Sequence, residues 1–193
     1  TRGRVPVIAG AGSNSTAATV ELCHLASEAG ADALLLVTPY YNKPTQAGLV
    51  AHFRAISDSV DRPIILYNVP SRTGGDLLPA TVAELARLPR IVALKEATGS
   101  IARGQEVIAA CPAEFAVLSG DDATAGALAM MGGAGVISVV SNLVPGPFAR
   151  LIGAARAGRQ EEARQLVYRY LPLIDLLFIE SNPIPVKAAL ALL

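Results

Sequence analysis

Residues 91–99 read IVALKEATG: four apolar residues run straight into Lys95, and Glu96 follows. Lysine is among the side chains least often buried, and an unpaired ammonium in an apolar site is costly. Two readings are open. Lys95 is a solvated strand end, or an amine is wanted in an apolar pocket. The segments VPVIAG (5–10), ADALLLVTP (31–39), PIILYNVP (63–70), FAVLSGDD (115–122) and GVISVVSN (135–142) share the pattern of 91–99. Their apolar cores are continuous rather than alternating, which suits strands covered on both faces of a parallel sheet.

Segments of helical length separate these strands, at a period of about thirty residues, that of repeated βα units. In the first, Asn14 or Ser15 can cap the helix. Ala18, Leu22, Leu25, Ala26 and Ala29 would form its buried stripe, and Gly30 ends it. GRQEEARQLVYRYLPLIDLLFIE (158–180) and NPIPVKAALALL (182–193) add further helices, with Pro183 and Pro185 at the opening of the last. The apolar stretch 126–148 is broken by Gly132-Gly133, Ser141-Asn142 and two prolines, so it reads as helix, loop and strand rather than a membrane span.

Six such units allow a doubly wound sheet or a (β/α)₈ barrel. No G-x-G-x-x-G turn follows a strand. Polar residues recur at strand C-termini instead: Thr38, Tyr67-Asn68, Lys95-Glu96, Ser119 and Ser138. Barrel enzymes draw catalytic groups from several strand ends at one face. The expected fold is therefore α/β, a (β/α)₈ TIM barrel without its first two strand-helix units. Residues 1–150 would be barrel units three to eight, and 151–193 a truncated C-terminal helical extension.

Composition narrows the function. The net charge is zero and the basic residues are scattered, so nothing favours nucleic acid. No signal peptide is evident, and Cys23 and Cys111 share no metal-type spacing; packing thiols in a reducing, cytoplasmic compartment are expected.

At a strand C-terminus Lys95 would point into a barrel mouth, where desolvation favours a neutral amine able to form a Schiff base. A solvated strand-end lysine fits the spacing as well. Tyr67 is a proton relay or an interior tyrosine with a hydrogen-bonded hydroxyl. Arg72, in the turn-rich PSRTGG, is a carboxylate grip or a solvated loop arginine. TPYYNKP (38–44) puts Tyr40 and Tyr41 in a proline-bounded loop, as at an interface or a catalytic site. Asp121 and Asp122 are read as helix-capping and first-turn acids, not metal ligands. The MGGAGVIS glycines precede a strand, so they suit a tight turn more than a phosphate. His24 is read as a surface residue, and His52 as a mid-helix residue with no evident partner.

TPYYNKPTQAGL (38–49), LYNVPSRTGGDLLP (66–79), LKEATG (94–99), LSGDD (118–122), GGAGVISVVSN (132–142) and ESNPIPVK (180–187) occur in this order. The set closely resembles the dihydrodipicolinate synthase family, pyruvate-dependent class I aldolases related to N-acetylneuraminate lyase. The resemblance implies a lyase of lysine and diaminopimelate biosynthesis. It would condense pyruvate with L-aspartate 4-semialdehyde to 4-hydroxy-tetrahydrodipicolinate. It implies a cytoplasmic homotetramer of two tight dimers, with no cofactor beyond the covalent imine, no metal, no nucleic acid and no membrane. Lys95 becomes the Schiff-base lysine, Tyr67 the relay tyrosine and Arg72 the residue that helps bind the semialdehyde carboxylate. Tyr41 would reach across the tight-dimer interface into a neighbour's relay. Ile137 matches a pyruvate-contacting backbone position, and Gly120 lines the same region. In lysine-inhibited members the inhibitor is held by an asparagine, a glutamate four residues later and a nearby tyrosine. Asn14 and Tyr40 match the first and last, and Ala18 stands where the acid would be. The Gly-Thr-Thr-Gly-Glu type motif of the family's second strand does not occur here. The alternatives are a sister lyase for sialic acid or 2-keto-3-deoxy sugar acids, and an inactive fragment or paralogue.

Overall fold

The structure, a computed structural model, describes residues 1–193. It comprises two compact units, Thr1–Thr98 with Glu106–Val117, and Gly99–Gln105 with Leu118–Leu193.

The first unit alternates strand and helix: β1 (Ile8–Gly10), α1 (Thr16–Glu28), β2 (Ala33–Val37), α2 (Gln46–Ser59), β3 (Ile64–Asn68), α3 (Pro70–Thr73), α4 (Pro79–Leu85) and β4 (Ile91–Glu96). Its strands pair in parallel in chain order, with Ile8 opposite Ala33, Leu34 opposite Ile64 and Tyr67 opposite Lys95. Parallel neighbours need a crossover, and the helices supply it. Leu34, Leu36, Ile64, Leu66 and Leu94 are fully buried. These residues form one face of the sheet; on the other, Ile65 and Ala93 are buried while Ala33, Leu35 and Val37 of β2 are only partly covered, short of the burial on both faces that the apolar runs suggest. β1 departs from that expectation. Val5, Val7 and Ile8 remain 40–58% exposed, because β1 pairs with β2 alone.

α1 also departs from its sequence pattern. Ser15 caps it, its side chain accepting from the Ala18 N–H at 3.4 Å. The buried residues, however, are Thr19 and Cys23, while Leu22 and Leu25 are 42% and 55% exposed and Ala29 is exposed. Thr19 can be buried because its hydroxyl donates to the Ser15 carbonyl at 2.9 Å and accepts from the Ser13 N–H at 3.1 Å. Thr19 and Cys23 thus occupy the buried face that apolarity alone assigned to leucines. In α2, Thr45 is the cap, and Leu49, His52, Phe53 and Ile56 form the buried stripe.

α5 (Ile101–Ala110) and β5 (Ala116–Ser119) each have residues in both units. The second unit continues with α6 (Ala125–Met130), β6 (Gly135–Val136), a 3₁₀ turn (Val140–Asn142), α7 (Pro145–Arg156), α8 (Gln160–Leu177) and α9 (Ile184–Leu190). β5 and β6 pair in parallel, Ser119 opposite Val136. Phe148, Leu151, Ala163 and Leu177 anchor the core of this unit. The apolar stretch 126–148 divides into helix, strand and turn, and no helix is long and apolar enough to cross a membrane. Its glycine pair makes the expected tight turn: Gly132 has φ +105°, and a Cβ on Gly133 would lie 2.9 Å from the Leu128 carbonyl oxygen.

Candidate active site

Lys95 sits near the C-terminal end of β4, with buried Ala93 and Leu94 before it. Its register partner on β3 is Tyr67, and the Lys95 Nζ lies 4.1 Å from the centre of the Tyr67 ring. The amine therefore meets an aromatic face on the neighbouring strand. Burial pushes the Tyr67 phenol pKa up, and the positive charge of Arg72 pulls it partly back. Tyr67 thus keeps its proton at neutral pH and can donate it, and Arg72 is close enough to be felt there electrostatically.

Arg72 is exposed and stands on the short helix α3 rather than in an open loop. Pro70 presets the helical φ at the start. Gly74, at φ +73°, closes the helix by donating its N–H to the Pro70 carbonyl at 2.9 Å. The turn residues of PSRTGG build that single helical turn. Tyr41 is 89% exposed at φ +73°, and its N–H donates to the Thr73 carbonyl at 3.1 Å. The loop of Tyr41 and the helix of Arg72 are therefore bonded directly. A non-glycine residue in the left-handed region is uncommon, and here it presents a whole aromatic ring to the exterior. Asn14 and Tyr40 also come together. The Asn14 side-chain amide donates to the Tyr40 carbonyl at 3.3 Å, and that of Asn42 donates to the Asn14 carbonyl at 3.1 Å.

In the second unit the Ile137 N–H donates to the Ser119 carbonyl at 2.9 Å, which places Ile137 beside the strand end that Gly120 follows. The paired acids there have separate tasks. Asp121 Oδ1 accepts from the Thr124 N–H at 2.8 Å and from its hydroxyl at 2.7 Å, capping the turn before α6. Asp122 is not a first-turn acid. It is 4% exposed, and its Oδ2 accepts from the N–H groups of Val139 and Val140 at 2.9 and 3.1 Å. It caps the 3₁₀ turn seventeen residues away, a long-range pairing that local spacing does not reveal.

His52 has a partner. Its Nδ1 lies 2.8 Å from the Thr16 hydroxyl on α1, its ring packs edge-on to Phe53, and it is 7% exposed. His24 is exposed, as expected, with Nε2 2.9 Å from the Ser59 carbonyl. Cys23 is fully buried and free, its thiol pushed up to about 11 by burial, as a packing thiol should be. The sequence reading singled out neither Gln46 nor Asp76, although both hold the segment that carries Arg72. A glutamine and an aspartate beside turn residues give no periodic signal.

The sequence pattern of the dihydrodipicolinate synthetase family matches residues 1–193. The chain belongs to that family. It is 54% identical over 192 residues to the 4-hydroxy-tetrahydrodipicolinate synthase of Syntrophus aciditrophicus, covering 100% of this chain and 66% of that protein. It is 49% identical, with a TM-score of 0.96, to the chloride-inhibited dihydrodipicolinate synthase of Acinetobacter baumannii complexed with pyruvate, covering 98% of this chain and 65% of that one. It is 45% identical, with a TM-score of 0.93, to the enzyme of Cyanidioschyzon merolae with lysine bound, covering 97% and 64%. The chain thus spans about two thirds of the length of the relatives it matches. The fold class is that of these TIM-barrel-type enzymes, of which the chain forms a part.

Proposed function

We propose that the protein carrying this chain is a 4-hydroxy-tetrahydrodipicolinate synthase that condenses pyruvate with L-aspartate 4-semialdehyde. One observation carries the reading: a lysine at a strand end, its amine 4.1 Å from the ring centre of a tyrosine that keeps its proton, in a chain of this family. Lys95 Nζ attacks the pyruvate ketone and water leaves, giving an iminium that serves as the electron sink. Loss of a methyl proton then gives the enamine whose carbon attacks the semialdehyde carbonyl, and attack of the semialdehyde's amino group on the re-formed iminium carbon closes the ring and releases the Lys95 amine. Tyr67 is the group positioned to pass protons in these steps. Arg72 offers a planar pair of donors to the semialdehyde carboxylate. By the family resemblance, Gly120 and the backbone of Ile137 are the positions assigned to pyruvate contact.

Tyr41 completes the relay of a neighbouring copy in a homotetramer of tight dimers. Its near-complete exposure supports a role outside its own chain. The covalent imine is the only carrier invoked, and the enzyme works in the cytoplasm. The purified full-length protein should form product from pyruvate and aspartate semialdehyde in a coupled assay. It should be inert toward sialic acid and 2-keto-3-deoxy sugar acids. Turnover of a sugar acid in preference to the semialdehyde would refute the assignment.

A further inference from the structure

One residue beyond the Tyr67–Lys95 pair lies a second register pair, Asn68 opposite Glu96. Adjacent strand residues face opposite sides, so this pair lies behind the catalytic one. Asn68 is fully buried and Glu96 is 3% exposed. The Asn68 side-chain nitrogen donates to Asp76 Oδ1 at 3.0 Å and to Glu96 Oε2 at 3.1 Å. Its oxygen accepts from the Leu77 N–H at 3.0 Å. Both amide donors and an acceptor are used. The other Glu96 oxygen accepts from the Thr98 N–H at 2.8 Å. Few side chains fit between two carboxyl groups and a backbone N–H. Aspartate would bring a third acceptor against two others, and alanine would strand the Leu77 N–H and leave both carboxyl groups short of a donor.

Asn68, Glu96 and Asp76 belong to three pieces of backbone: the end of β3, the end of β4, and the far end of the 69–78 segment that carries Arg72. The same segment is held from α2. Gln46 Nε2 donates to the Asp76 carbonyl at 2.7 Å, and its Oε1 accepts from the Leu78 N–H at 3.2 Å and the Thr81 hydroxyl at 2.6 Å.

We propose that Asn68, through Asp76 and Glu96, is a positioning residue that fixes the Arg72 segment against the strand ends bearing Tyr67 and Lys95. It thereby sets the spacing between the pyruvate imine and the grip on the second substrate's carboxylate. The inference rests on the synthase reading for that consequence, while the clamp itself is testable without it.

The test uses the full-length protein with Asn68→Ala, Asp76→Ala and Asp76→Asn. Amide hydrogen exchange reads the clamp directly. Exchange of the 74–78 amides should quicken at least about tenfold in Asn68→Ala, with other strand amides unchanged. Kinetics reads its consequence. Asp76→Ala should raise the KM for aspartate semialdehyde about tenfold while pyruvate KM and the rate of imine trapping change less than about twofold. Asp76→Asn, which keeps an acceptor for Asn68, should recover most of that loss. Unchanged 74–78 exchange overturns the clamp. A uniform fall in turnover with both KM values unmoved, or no rescue by asparagine, overturns the positioning role. If Asn68→Ala fails to fold, the two Asp76 variants decide by the same criteria. A wild-type protein that forms neither imine nor product refutes the synthase reading alone, and the exchange result still judges the clamp.

Discussion

Lys95 and Tyr67 are register partners on adjacent parallel strands, and the amine of one lies 4.1 Å from the ring centre of the other. Parallel pairing forces two strand ends to the same edge, so residues without any shared sequence signal meet there. Replacing Tyr67 by phenylalanine keeps the ring and removes the relay proton. Turnover should fall by about 10²-fold or more, with little change in melting temperature. Imine trapping with pyruvate should persist. Because burial raises the Tyr67 phenol from its ordinary 10.0, an alkaline limb set by this group should lie above that value in a rate–pH profile. Full activity in the phenylalanine variant would remove Tyr67 from the chemistry.

Arg72→Ala should act on the second substrate. Losing a charge-assisted pair costs about 2 kcal/mol, roughly thirtyfold in apparent affinity. The KM for aspartate semialdehyde should rise by that order, while imine formation with pyruvate changes little. Equal effects on both substrates would show that Arg72 only supports the local structure.

His52 makes stability fall in acid. Burial lowers its pKa below the ordinary 6.5, so the unfolded chain takes up the proton first. The stability it contributes is complete above about 6.5 and is lost as pH falls from there toward the folded-state value. Melting temperatures between pH 7.5 and 5 should decline in the wild type and decline less in His52→Gln, which carries no titrating group. Parallel declines in the two proteins would contradict this.

Ala18 stands four residues after Asn14 and opens onto the same end of α1, where no acidic residue occupies the first turn. The family resemblance places a carboxylate at this position in lysine-inhibited members, and without it the inhibitor's ammonium loses that partner, so lysine should inhibit weakly or not at all. Ala18→Glu should strengthen inhibition in a standard assay. It should also raise the melting temperature slightly, since glutamate three residues after Ser15 completes a capping box worth about 0.5–1 kcal/mol. Strong inhibition of the wild type at micromolar to low millimolar lysine would overturn this expectation.

The strands were legible because buried parallel strands write themselves as unbroken apolar runs, and Lys95 stood out by interrupting one. The glycine turn at 132–133 and the broken stretch 126–148 were equally readable from local chemistry. What failed was long-range pairing. Thr19 and Cys23, not the leucines, are the buried residues of α1. Asp122 caps a turn far along the chain, and His52 finds Thr16 on another helix. Each depends on which elements the fold brings together, and neither periodicity nor spacing carries that information. The buried Asn68 clamp is of the same kind. Its residues were visible as polar strand ends, and their connection to Asp76 was not.

If Lys95 is the imine-forming amine, borohydride reduction of the full-length enzyme in the presence of pyruvate, followed by peptide mass mapping, should trap the adduct on it. A single pyruvate-derived addition is expected on the peptide containing Lys95, absent in Lys95→Arg, whose guanidinium stays protonated and cannot attack the ketone. Modification at Lys43 or Lys187 instead, or no pyruvate-dependent addition, would contradict it.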